Sequence, residues 1–137
     1  MPLTLLPDEL CKSLRDLIVT LRKVESTLSI PELLAAEASA EVAQAKRSLP
    51  PEIAQIQRQF QEILAAIAAI DLPPAVEQRL RPLQTEAHRR LRLLGIESMR
   101  LKTAKQQMTL DKVRSQLQAH IEQLQGFAQA IADEACG

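Results

Sequence analysis

The chain has 137 residues, of which 46% are apolar and 1% aromatic, and Lys plus Arg balance Asp plus Glu at 17 each. The apolar fraction is enough for a core and excludes wholesale disorder. The near absence of aromatics and the three glycines argue against most β architectures, and the net charge of zero gives no reason to expect nucleic acid or an anionic membrane as partner.

Proline divides the sequence. Pro7 precedes Asp8 and Glu9, acids placed at the positive end of a helix dipole. Leu10, Leu14, Leu17, Leu21, Val24 and Leu28 then recur at heptad spacing, which predicts one face of an amphipathic helix. Ser29 and Glu32 flank Pro31 in the pattern of a capping box, so a second helix is expected to start there. That segment, Leu33 to Arg47, is rich in Ala and Glu and poor in large apolar groups. It reads as a weakly packed helix, either separate or a kinked continuation of the first. Ser48-Leu49-Pro50-Pro51-Glu52 predicts a break.

Ile53, Ile56, Phe60, Ile63, Ile67 and Ile70 form the next seam, which Asp71-Leu72-Pro73-Pro74 ends. A third seam runs through Val76, Leu80, Leu83, Ala87, Leu91, Leu94, Ser98 and Leu101. Pro82 falls inside it, so that helix either kinks or begins near Leu80-Arg81. The last seam is Val113, Leu117, His120, Leu124, Phe127 and Ile131, with a turn expected over 106–109 and a start at Thr109. Short links between amphipathic segments predict an all-α fold. We expect an antiparallel helical bundle of about four helices with a long C-terminal helical hairpin, forming a single domain over 1–137.

Cys11 and Cys136 stand near opposite ends without CxxC spacing. A bridge between the termini is one reading; two free thiols in a reducing cytosol is the one adopted. The first residues lack the basic and apolar regions of a signal peptide. The longest apolar run, Ile63 to Ile70, is eight residues, against the ~20 of a membrane-spanning helix. A cytoplasmic location follows as the expectation.

Chemistry-bearing motifs are missing: there is no phosphate loop, dinucleotide fingerprint, nucleophile elbow or metal motif. No catalytic residue, cofactor or metal site is expected, and the chain reads as a non-enzyme. His120, on an apolar seam, reads as a core-edge histidine with its polar tip hydrogen-bonded or wet.

One segment stands apart. Residues 77–105 carry eight basic and three acidic side chains, a net +5. On a helical wheel Arg81, Arg89, Arg92 and Arg100 fall within one arc of about 100°, opposite Leu80, Leu91 and Leu94. Ile96 falls in the middle of that arc, Met99 at one edge and Leu93 just beyond the other. Something is expected to cover these apolar groups, either another helix of the chain or a partner. In the second case apolar anchors ringed by arginines suit an acidic peptide, and Arg81, Arg89, Arg92, Leu93, Ile96, Met99 and Arg100 are the candidate partner-binding residues. Stacking aromatics and helix-turn-helix spacing are missing for nucleic acid, and aromatic anchors are missing for a membrane surface.

Gln84-Thr85-Glu86, Leu91-Arg92-Leu93-Leu94, Met99 and Leu101, followed by Gln116-Leu117-Gln118 and Gln123-Leu124, resemble the cyanobacterial heterocyst frequency control protein PatD family. The resemblance covers about residues 76–131. It implies a small cytoplasmic all-helical regulator that binds the cell-division protein FtsZ and modulates its assembly, influencing cell division and heterocyst frequency. The alternatives are a structural or adaptor bundle, as a homodimer or with another protein partner, and a nucleic-acid binder.

Overall fold

A computed structural model describes residues 5–31, 33–35 and 39–136. These residues hold four helices and no strand: α1 (Asp8–Leu28), α2 (Ala40–Ala68), α3 (Pro74–Thr103) and α4 (Gln107–Ala135). Each packs against its neighbours in sequence, α1 also packs against α4, and the diagonal pairs do not meet. The start of α3 meets the end of α4 through Arg79 and Glu134, 2.7 Å apart. The end of α1 meets the start of α4 through Arg114 Nε, which donates to Leu28 O at 2.7 Å. The arrangement is an antiparallel up-down-up-down bundle around one hydrophobic core.

The expected heptad seams build that core. Leu14, Leu17, Leu21, Val24 and Leu28 of α1 are buried, as are Ile53, Ile56, Phe60, Ile63 and Ile67 of α2. Val76, Leu80, Ala87, Leu91, Leu94 and Leu101 face it from α3, and Val113, Leu117, Leu124 and Ile131 from α4.

Helix boundaries depart from expectation in four places. First, the α2 start lies at Ser39, whose hydroxyl accepts from Val42 N–H at 3.3 Å. Ser29 is instead the C-cap of α1, its hydroxyl donating to Glu25 O at 2.9 Å; Glu32, the other half of the expected capping box, lies outside the described residues. Second, α2 runs straight through Pro50 and Pro51, where a break was expected. The two rings remove the N–H groups that would bond Lys46 O and Arg47 O. Leu49 and Ile53, one turn apart across the pair, are both fully buried, and burying such a side chain is worth about 1.5–3 kcal/mol. Core packing on both sides of the prolines holds the helix where local preference opposes it. Third, α3 starts at Pro74, with Pro73 as N-cap, and continues through the exposed Pro82. Proline suits the first helical position, because its missing N–H would have had no partner there. Fourth, the α3–α4 link is residues 104–106, so Thr109 sits inside the first turn of α4 rather than at its start.

α1 has 21 residues against 29 or 30 in the other helices, so it is shorter by about 12 Å at 1.5 Å per residue. The connection after α1 adds Leu33 and Leu34 to the core, both buried. α1 has no basic residue in its own last turn. Arg114 of α4 brings a cation to that negative dipole end and also donates through Nη1 to Pro31 O at 3.5 Å.

The first turn of α1 and the end of α4 are clasped together. A disulfide joins Cys11 to Cys136, which corrects the expectation of two free thiols. The pairing follows from the bundle: antiparallel packing sets the first turn of α1 beside the end of α4, with Cα atoms 5.8 Å apart, within the span a disulfide bridges. Leu5 and Leu6 N–H both donate to Ala135 O, at 2.8 and 3.1 Å.

Candidate functional site

Two neighbours fix the orientation of α3. On one side α2 approaches at Gly95, where a Cβ would lie 2.5 Å from Gln57 Nε2. The glycine lets the Gln57 amide lie against α3 and donate to Leu91 O at 2.9 Å. On the other side α4 approaches along a polar seam. Arg90 Nη1 lies 3.2 Å from His120 Nδ1; an arginine can only donate, so Nδ1 accepts and the neutral ring carries its proton on Nε2. Glu97, 9% exposed, takes Arg100 Nη1 at 3.2 Å. With its nitrogen turned toward Glu97, the orientation its surroundings require, the Gln116 amide donates to both carboxylate oxygens at 2.9 and 3.0 Å.

Burial is the main cause that lowers the His120 pKa below its ordinary 6.5, and Arg90 adds to the effect while Glu97 opposes it. His120 is therefore the hydrogen-bonded core-edge residue its seam position suggests. Its pKa is lower folded than unfolded, so the unfolded chain takes up the proton first on acidification. Stability from this site is fully present above about pH 6.5 and is lost as pH falls through the folded value. Urea titrations across pH 7 to 5 should show the decline, and His120→Gln should flatten it; an equal slope in the variant would place the effect elsewhere.

Beyond both neighbours, the remaining arc of α3 faces outward. Arg81, Arg89, Arg92, Ile96, Met99 and Arg100 are all exposed, and Leu93 is half-buried. Ile96 is 50% and Met99 67% exposed, so none of the four described helices covers them. Three of the arginines already hold carboxylates of their own helix. Arg81 pairs with Glu77 at 2.7 Å, Arg89 with Glu86 at 3.4 Å and Arg100 with Glu97 at 3.2 Å. The Arg81–Glu77 and Arg89–Glu86 pairs are exposed on both sides; such pairs contribute about 0–1 kcal/mol and exchange readily for another carboxylate, whereas Glu97 is buried against α4. Arg92 makes no ion pair among the described residues.

Two exposed apolar residues escaped the sequence reading. Met108, 85% exposed, lies in the first turn of α4, at the end of the bundle where α3 finishes. Val19, 63% exposed, lies on α1 beside the buried Ile18.

Among the described residues no helix is long and apolar enough to cross a membrane. Nor, among them, do three His, Cys, Asp or Glu side chains come together as metal ligands. The fold and its outward α3 face thus define a four-helix bundle with a mixed basic and apolar surface. No protein-family model, curated protein or solved structure matches the chain.

Proposed function

We propose that this chain is a non-enzymatic interaction module that binds a protein partner through the outward face of α3. The observation that supports the reading is the exposure of Ile96 and Met99, three residues apart on α3, among arginines that include Arg92, in no ion pair among the described residues. Apolar anchors beside arginine are the usual composition of an interface centre, and the arginines select an acidic counterpart. Pairing two copies through this face would set arginine against arginine in an isologous contact, which favours a different protein over a second copy. With the likeness of residues 76–131 to the PatD family, the partner in this reading is FtsZ, met in the cytoplasm, and the outcome is a change in its assembly that influences division and heterocyst frequency.

Binding of purified FtsZ to wild type, Ile96→Asp and Arg89→Glu/Arg92→Glu tests this. Ile96→Asp should weaken binding at least tenfold, about 1.4 kcal/mol. Its unfolding free energy should stay within about 0.5 kcal/mol of wild type, as at surface sites. The double charge reversal should weaken binding most at low salt. Normal FtsZ binding by both variants would remove the α3 face from the reading, and a salt-dependent shift of random DNA in place of FtsZ binding would select a nucleic-acid binder.

A further inference from the structure

A groove runs between α1 and α4, on a helix pair that does not include α3. It is lined by Cys11 and Cys136, by Arg15, Val19 and Arg22 of α1, and by Asp133 of α4 among others. Arg15 and Arg22 are two turns apart on one side of α1, both exposed, and neither is in an ion pair among the described residues. Asp133 is already engaged, its Oδ1 accepting from the Gln129 amide at 2.9 Å. That neutral donor leaves Asp133 its charge, so the groove carries these two arginines against one carboxylate, a net +1, beside a disulfide. The two half-cystines differ in burial as residues: Cys11 is 3% exposed, whereas Cys136, just past the last turn of α4, is partly exposed.

We propose that this groove is a thiol-exchange site, at which a small anionic thiol of the glutathione class opens the bridge by attack on Cys136. The arginines attract the anion and favour its thiolate form. The thiolate electron pair forms a bond to Cys136 Sγ, and the Cys11–Cys136 bond breaks with its electron pair leaving on Cys11. Cys11 then takes a proton from water, and Leu6 O, 3.8 Å from its sulfur, is the acceptor for the new S–H. The entering thiol is oxidised to the mixed disulfide as Cys11 is reduced. A second thiolate attacks the small-molecule sulfur of the mixed disulfide and releases Cys136 as a thiolate, so two small thiols become one small disulfide and the protein becomes a dithiol. Disulfides in reducing compartments are mostly of this transient kind, whereas an inert bridge belongs to oxidising ones. Opening it frees the end of α4 from its covalent hold on α1 and leaves the Leu5 and Leu6 bonds to Ala135 O in place.

The test treats native, non-reduced protein with glutathione or with its diethyl ester, in which the carboxylates are masked, and locates adducts by peptide mass spectrometry. Glutathione should appear on Cys136 with Cys11 free. Per thiolate it should react at least threefold faster than the ester at low ionic strength, an advantage that shrinks with added salt. Arg15→Gln/Arg22→Gln should lose the advantage while the ester rate stays unchanged. The proposal is overturned by adducts on Cys11, by equal rates for the two thiols in wild type, by exchange that needs denaturant, or by two free thiols in protein purified without reductant.

Discussion

Phe60→Ala is expected to lower the free energy of unfolding by about 3–5 kcal/mol. Phe60 is the largest fully buried side chain, and it lies on the apolar seam of α2 with Ile56, Ile63 and Ile67. Removing the ring forfeits its transfer free energy and leaves a hole that long helices, packed on both sides, cannot close by small shifts. Against a typical total of about 5–15 kcal/mol, that is a large share. Urea denaturation should show a lower midpoint at unchanged slope. A loss under about 1 kcal/mol would be far below the cost of a buried aromatic and would mean that α2 sits with another face inward.

The second large effect concerns the bridge. Cys11→Ser/Cys136→Ser should cost about 2–5 kcal/mol under non-reducing conditions, because the cross-link spans 125 residues and constrains nearly the whole unfolded chain. In reductant the wild type should fall to within reach of the variant. Coincident transitions without reductant would show that the thiols are not joined. Read from sequence as two free thiols, the pair would leave the melting temperature within a few degrees of wild type in reductant and give no reason for a loss without it, since cysteine spacing alone carries no information about which ends of which helices meet.

That contrast shows what the sequence makes legible. Heptad recurrence of Leu and Ile identifies the inward faces of all four helices, since each seam must bury itself on something. The same periodicity places Ile96 and Met99 on the outward arc of α3, and the structure leaves them exposed there. The spacings Glu77–Arg81, Glu86–Arg89 and Glu97–Arg100 also carry the three ion pairs, being those at which helical side chains meet. Pro50-Pro51 misleads because the local penalty of proline is read in isolation, whereas Leu49 and Ile53 are held by residues distant in sequence. Ser39 is missed as a cap because no acidic residue follows it at the capping-box position. Met108 is missed because the turn is placed two residues too late, which gives it no helix face.

Because residues 11 and 136 are covalently joined, the backbone between them is a closed loop rather than a line with two ends. A protease that cuts once in the 104–106 link, or once in the connection after α1, therefore releases no fragment. The nicked molecule keeps the mass of the whole plus one water, and it separates into two pieces only after reduction. The same closure makes the 104–106 link a place to open the gene for circular permutation, with the segment before α1 joined to the segment after α4. Such a permutant begins with α4, ends with α3, and keeps every helix beside its present neighbours.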